Sequence, residues 1–134
     1  MSILLEAKQK ERLRRLSIQL VYLFGSYAGG KTSPMSDVDV GVVLSPGQAS
    51  RIDLSELYDE LYDLFTDIFP KERVDIVFLQ RAGLEISVDA ITHGSLLFES
   101  SEGERFEFEE RTLLLYADFK PLLDEFNYAV LNRP

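Results

Sequence analysis

The sequence predicts an α/β (α+β) fold, with a mixed sheet of about four strands flanked by helices and a long C-terminal helix. Apolar runs of strand length alternate with longer segments whose apolar residues recur at helical spacing. Hydrophobic residues make up 46% of the chain, which is enough for a buried core. A length of 134 residues suits one domain, and no internal repeat is evident. We therefore expect a single domain over residues 1–134.

The N-terminal half is predicted to fold as a helix, two strands and a second helix. Residues 3–16 are rich in Glu, Lys, Gln and Arg around apolar positions, which favours an amphipathic helix. Residues 18–24 and 38–44 are almost unbroken apolar runs, typical of strands covered on both faces. Residues 27–36 contain Gly and Pro and join the strands as a loop. Residues 52–69 carry apolar residues at helical spacing, with Glu and Asp on the other side.

The C-terminal half is predicted to alternate strands and helices. Pro70 ends the preceding helix, and residues 73–80 follow as a third strand. Residues 84–92 favour a short helix closed by a glycine, and residues 95–99 favour a short strand. The final helix is predicted over residues 106–131.

The charge and the absence of cysteine exclude several classes of function. The chain has 14 basic and 23 acidic residues and a net charge of −9, so it repels nucleic-acid phosphates and is not expected to bind nucleic acid directly. Without cysteine there are no disulfides, thiolate zinc sites or cysteine nucleophiles, and a reducing cytoplasm is the expected location. No apolar run approaches the roughly 18 residues that span a bilayer, so no membrane association is expected.

Three aspartates are the candidate catalytic and metal-binding residues. Asp37 and Asp39 are two positions apart at the start of the second strand, so they share one face. Asp75 lies between Val74 and Ile76 in the third strand and points away from the face that these two share. If the strands are adjacent, the carboxylates converge, and their mutual repulsion calls for a cation. All-oxygen ligands suit Mg²⁺, and two ions are expected for in-line phosphoryl displacement.

The turn after the first strand is the candidate phosphate-binding site. Gly25 has no Cβ and allows a phosphate to approach the backbone, while the amides that follow and the Ser26 hydroxyl can donate hydrogen bonds. Lys31 either contacts phosphate or is an ordinary solvated lysine. Asp75 is the best-placed base for an acceptor hydroxyl, because it is separate from the pair formed by Asp37 and Asp39.

These motifs together resemble a known signature. Gly25-Ser26, ten intervening residues and Asp37-Val38-Asp39 resemble the signature of the DNA polymerase β-type nucleotidyltransferase superfamily. The short chain resembles its minimal branch, the MntA-type antitoxins of HEPN–MNT toxin–antitoxin pairs, and residues 108–123 resemble the C-terminal helix of that branch.

The resemblance implies a specific reaction. Members of this branch transfer AMP from ATP to a tyrosine of the cognate HEPN ribonuclease toxin, which silences the toxin. By the same resemblance, Gly25 and Ser26 bind the triphosphate, and Asp37, Asp39 and Asp75 hold the Mg²⁺ ions. A hetero-oligomer with a HEPN-type toxin is therefore the expected assembly, with ATP as the substrate.

One departure from the family pattern keeps two other functions open. Gly29 stands where the family often has an arginine, and Lys31 nearby cannot reproduce the bidentate contact of a guanidinium. A non-catalytic antitoxin that binds the toxin with this fold is thus an alternative. Transfer of a nucleotide to a small-molecule hydroxyl, as in aminoglycoside nucleotidyltransferases, is another, although those enzymes usually carry an additional substrate domain.

Structural roles account more simply for the remaining conspicuous residues. His93 precedes a glycine at a helix end, where a cation interacts favourably with the helix dipole. The acidic cluster around residues 102–110 suits a solvated helix start. The apolar residues of the last helix are predicted to be core, although a long terminal helix can also expose a stripe to a partner. These residues are Phe106, Leu113, Leu114, Leu122, Leu123 and Phe126.

Overall fold

The computed structural model describes residues 4–25, 37–69 and 73–132. The helices and strands, in chain order, are α1 (Ala7–Arg15), β1 (Ile18–Phe24), β2 (Val38–Leu44), α2 (Pro46–Ala49), α3 (Ser55–Thr66), β3 (Val74–Phe78), α4 (Leu84–His93), β4 (Ser95–Glu99) and α5 (Glu102–Leu131). A 3₁₀ turn follows β3 directly. The predicted mixed sheet of four strands flanked by helices, with a long C-terminal helix, is confirmed.

Capping residues explain where some helix ends differ from the prediction. α1 begins late because Glu6 and Gln9 cap each other, the Glu6 amide donating to Gln9 Oε1 at 2.8 Å. α5 begins four residues before the predicted start because the Ser101 hydroxyl accepts a hydrogen bond from the Glu104 amide at 3.1 Å. α2 was not predicted, and it forms where Pro46 occupies the first position of the helix.

The sheet has the order β3-β2-β1-β4. β1 runs antiparallel to both β2 and β4, whereas β2 and β3 are parallel. A parallel pair needs a crossover connection, and α3 supplies it between β2 and β3. This topology brings together the start of β2, the start of β3 and the end of β1, because Asp39 is paired with Phe24 on one side and with Asp75 on the other.

One face of the sheet is covered by α1 and α3. Alternate residues of the strands, such as Val21 and Leu23 of β1, pack there against Leu13 of α1 and against Leu61 and Phe65 of α3. These helices bury their apolar sides completely at those three positions. This face carries the larger of the two clusters of buried residues and therefore most of the hydrophobic stabilisation.

The opposite face is covered by α4 and the first turns of α5. Leu20, Tyr22 and Phe24 of β1 pack there against Ala90 of α4 and Phe108 of α5. Because β1 is covered on both faces, its sequence is apolar at nearly every position rather than alternating. Strand alternation places Asp39 and Asp75 on this second face, the one shared with α4 and α5.

The prediction that the apolar residues of the last helix belong to the core is wrong. In α5 only Phe108 and Thr112 are buried. Leu123 is partly exposed, and the other five predicted core residues are exposed: Phe106, Leu113, Leu114, Leu122 and Phe126. No residue of the helix is buried from position 113 onward, and Phe106 lies on the opposite side of the helix from the buried Phe108. Within the described ranges, no helix combines the length and apolarity needed to cross a membrane.

Candidate active site

The turn that ends β1 lies directly against an aspartate of β2. Gly25 adopts a φ of +78°, in the left-handed region that favours glycine. A Cβ built on Gly25 would overlap Asp39 Oδ2 and lie 3.1 Å from Asp39 Cγ. Two independent constraints, the backbone conformation and the lack of space, therefore require glycine at this position.

Two of the predicted aspartates are direct neighbours across parallel strands. Asp39 of β2 is the register partner of Asp75 of β3. Register partners project to the same face of a sheet, so both carboxylates lie on the α4 side. Asp37 precedes β2 by one residue and is exposed, as is Asp75, while Asp39 is partly buried between them. The structure thus places all three aspartates at one corner of the sheet.

The charge of Asp39 is opposed by its surroundings. Its pKa is raised above the usual value, first by burial and then by repulsion from the carboxylates of Asp75, Asp37 and Asp89. Acidic groups that repel one another in this way are stabilised by a bound cation or by protonation. The electrostatics of this corner therefore favour a positively charged ligand beside Asp39.

Arginine competes for one of the three carboxylates. Arg73 Nη1 lies 3.7 Å from Asp37 Oδ1, at the entrance to β3. Among the residues that the structure describes, no group of three or more His, Cys, Asp or Glu side chains is arranged to hold a metal ion. Carboxylate oxygens are nevertheless the kind of ligand that hard cations prefer. The chemistry of the donors fits Mg²⁺, while Asp37 is paired with Arg73.

The predicted triphosphate site comprises Gly25, Ser26 and Lys31. Ser26 and Lys31 both lie outside the described residues, as does Gly29, the position that departs from the family pattern. Of the predicted triphosphate site, the structure describes Gly25, whose contact with Asp39 links that turn to the aspartates.

α4 contributes an acidic residue that was not among the predicted site residues. His93 Nδ1 lies 3.0 Å from Asp89 Oδ1, an i,i+4 pair on the last turn of α4. Gly94 packs tightly on β1, where a Cβ would lie 2.6 Å from the carbonyl oxygen of Leu23, so α4 ends beside the end of β1. Asp89 is thereby close enough to raise the pKa of Asp39. The i,i+4 spacing was visible in the sequence, but the approach to Asp39 depends on tertiary packing.

The fold and this corner are shared with a known protein family. The family model described as polymerase beta, nucleotidyltransferase, matches residues 7–103, which is well over half of the chain. The chain belongs to this nucleotidyltransferase family. The matched residues include Gly25 and all three aspartates, and they end just after the start of α5. No curated protein matches the chain.

Solved structures of toxin–antitoxin complexes resemble this chain over more than 90% of its length. A toxin–antitoxin crystal structure with AMP-PNP matches with a TM-score of 0.64 and 25% identity, over 91% of this chain and 98% of that chain. A mutant MntA–HepT complex matches with a TM-score of 0.65 and 25% identity, over 92% of this chain and 98% of that chain. In that mutant, two aspartates two positions apart are replaced by glutamate. The chain described here is therefore a minimal nucleotidyltransferase of the MntA type.

A third complex shares the fold at lower identity. It contains a tri-AMPylated HEPN toxin from Shewanella oneidensis with its MNT antitoxin, and it matches with a TM-score of 0.55 and 22% identity, over 89% of this chain and 96% of that chain. At this identity the third complex shows a shared fold, whereas the family model over residues 7–103 supports nucleotidyltransferase activity.

Proposed function

We propose that this nucleotidyltransferase transfers AMP from ATP to a tyrosine hydroxyl of a HEPN-type toxin and so acts as its antitoxin. The observation that carries the proposal is the register pairing of Asp39 with Asp75 beside the Gly25 turn. Further support comes from the resemblance to a complex with AMP-PNP, an ATP analogue, and to a complex with an AMPylated toxin.

In the proposed reaction the acceptor oxygen attacks the α-phosphorus of ATP. A new bond forms between that oxygen and the α-phosphorus, the bond from the α-phosphorus to the bridging oxygen breaks, and pyrophosphate leaves with the bonding electrons. Asp75, exposed at the edge of the corner, accepts the proton of the hydroxyl. Protein groups contribute chiefly by positioning and charge neutralisation in such reactions.

The remaining roles follow from the same corner. Gly25, with Ser26 and Lys31, binds the triphosphate. The residues that would hold Mg²⁺ are Asp37, Asp39 and Asp75, and magnesium bound there would offset the negative charge of the carboxylates and phosphates. Asp37 would leave Arg73 in order to bind the cation. Little stability would be lost, because the 3.7 Å ion pair is largely solvent-exposed on the aspartate side.

Transfer to the toxin can be tested with labelled ATP. The chain is incubated with Mg²⁺ and the HEPN-type protein that co-purifies with it, using ATP labelled at either the α- or the γ-phosphate. We expect label from α-labelled ATP alone to enter the partner, whose mass increases by one or more AMP groups. The Asp37→Asn/Asp39→Asn double variant should transfer nothing, whereas Asp59→Asn, an exposed aspartate on α3, should match the wild type.

Two results of this experiment would favour the alternatives. If the double variant still labels the partner, these aspartates do not catalyse transfer. If the double variant transfers no AMP but neutralises the toxin fully without ATP, the chain is a binding antitoxin, a function that the pairing of Asp37 with Arg73 would suit. Label on an aminoglycoside without any protein acceptor would indicate a small-molecule substrate.

A further inference from the structure

The last two-thirds of α5 form a helical arm with no core around it. Residues 113–131 are all described, and none of them is buried. At 1.5 Å per residue this segment is about 28 Å long. Many of its side chains are nevertheless large and apolar, including Leu122 and Phe126, which are 61% and 65% exposed. A contiguous apolar surface of this extent marks an interaction site.

The apolar residues of the arm are arranged for packing against another helix. Leu115, Phe119, Leu122 and Phe126 are spaced by four, three and four residues, the heptad spacing of helices that pack side by side. With about 100° between successive residues, they fall on one side of the helix together with two neighbours. We call this surface the α5 stripe; its residues are Leu115, Phe119, Leu122, Leu123, Phe126 and Val130.

The charges around the stripe favour a basic partner over a second copy. Asp118 and Glu125 lie along the edge of the stripe next to Leu122, as their helical positions require. Lys120 is the one basic residue of this segment, and its Nζ is 2.7 Å from Asp124 Oδ2 on the opposite side of the helix. Two copies would place like charges together and would each carry a net charge of −9, which opposes self-association.

Contacts at the base of α5 fix the arm relative to the catalytic corner. The Tyr22 hydroxyl of β1 donates to Glu109 Oε2 at 2.6 Å, and Arg105 Nε lies 2.6 Å from Glu99 Oε2 of β4. Phe108 packs beside Tyr22 on the same face of the sheet as Asp39. The base of the arm therefore lies over the face of the sheet that carries Asp39.

We propose that the α5 stripe is the docking surface for the acceptor protein, which binds it through an apolar helix face flanked by Lys or Arg. The proposal rests on the proposed function, because it takes the acceptor to be a protein. It adds that recognition occurs on the arm, apart from the residues that carry out the chemistry.

The test compares two double variants of the full chain that change the same helix. Phe119→Ser/Phe126→Ser alters the stripe. Leu114→Ser/Tyr128→Ser alters two exposed apolar residues that lie off the stripe, at 59% and 69% exposure, and serves as the matched control. Binding of the HEPN-type partner is measured by calorimetry without ATP, and circular dichroism checks that each variant is folded.

We expect the stripe variant to bind the partner about 100-fold more weakly, since truncating central interface aromatics commonly has this effect, and the control to bind like the wild type. Transfer by the stripe variant should show a raised KM for the partner with little change in kcat. Equal weakening in both variants, or unchanged binding in the stripe variant, would overturn the proposal.

Two further outcomes separate this proposal from others. If the wild-type chain alone sediments as a dimer that the stripe variant disrupts, while partner binding is unchanged, the stripe joins two copies and the proposal fails. If the wild type binds the partner through the stripe but transfers no AMP, the docking surface stands and the proposed catalytic function fails.

Discussion

Gly25 and Asp39 are packed so closely that no side chain can be added to the glycine without displacing the aspartate carboxylate. The turn predicted to bind phosphate and the aspartate predicted to bind metal are thereby parts of one structural unit. A change at Gly25 should consequently act on catalysis through Asp39 as well as on the stability of the turn.

Gly25→Ala should abolish AMP transfer and destabilise the protein. The added methyl group overlaps Asp39 Oδ2, and a φ of +78° costs an L-residue about 1–2 kcal/mol. Urea denaturation and the transfer assay measure the two effects. Gly103→Ala is the matched control, because a Cβ there meets nothing within 4 Å and alanine in a helix is more stable than glycine by about 0.5–1 kcal/mol. If Gly25→Ala is as stable and active as the wild type, the close packing does not exist in solution.

Asp39→Asn should stabilise the metal-free protein while abolishing transfer. The pKa of Asp39 is raised in the folded state, by burial and then by its acidic neighbours, so the folded chain binds this proton more tightly than the unfolded chain. The associated stability is present below the unfolded pKa near 3.8 and is lost as the pH rises through the folded pKa. Asparagine carries no such charge, and we expect the substitution to raise the free energy of unfolding by about 0.5–1 kcal/mol at pH 7.

Thermal denaturation of the wild type and Asp39→Asn at several pH values tests whether the substitution stabilises the protein. The difference in stability should be largest at neutral pH and should vanish near pH 3, roughly where aspartate is protonated even in unfolded chains. Addition of Mg²⁺ and AMP-PNP should reverse the order, because ligands that bind the wild type stabilise it. If Asp39→Asn is less stable than the metal-free wild type at pH 7, the charged form of Asp39 is not disfavoured by its surroundings.

Tyr22→Phe should destabilise the base of α5 without altering the catalytic residues. Burial and then the bond to Glu109 raise the pKa of Tyr22, so its hydroxyl stays protonated and donates across the physiological range. Phenylalanine would leave the Glu109 carboxylate without this donor, at a cost of about 1–3 kcal/mol. Tyr128→Phe, on an exposed tyrosine of the arm, should cost nothing measurable. Urea denaturation of both variants gives the comparison, and equal stability of Tyr22→Phe and the wild type would contradict it.

The strands and the arrangement of the aspartates could be predicted because both follow from local rules. β1 and β2 are covered on both faces, which leaves continuous apolar runs in the sequence. The alternation of strand side chains predicted which face Asp39 and Asp75 each occupy, and it predicted their convergence on the condition that the second and third strands are adjacent. The adjacency itself is a finding of the structure, because β2 and β3 pair in parallel.

Other features depend on tertiary contacts that a sequence does not encode locally. Asp89 approaches Asp39 only because Gly94 lets α4 end against β1. Arg73 pairs with Asp37 because β2 and β3 are in register. The apolar residues of α5 were predicted to be core because helical periodicity identifies an apolar side but not what covers it, and the structure leaves that side exposed.

Whether Asp37, Asp39 and Asp75 act as one cation site can be measured by Mn²⁺ binding, followed by electron paramagnetic resonance in the presence of AMP-PNP. We predict that the wild type and Asp59→Asn bind Mn²⁺ equally well, and that Asp39→Asn and Asp75→Asn each weaken binding by at least about tenfold. Wild-type affinity in Asp75→Asn, alongside a loss in Asp39→Asn, would contradict a single shared site, because Asp75 would then lie outside it.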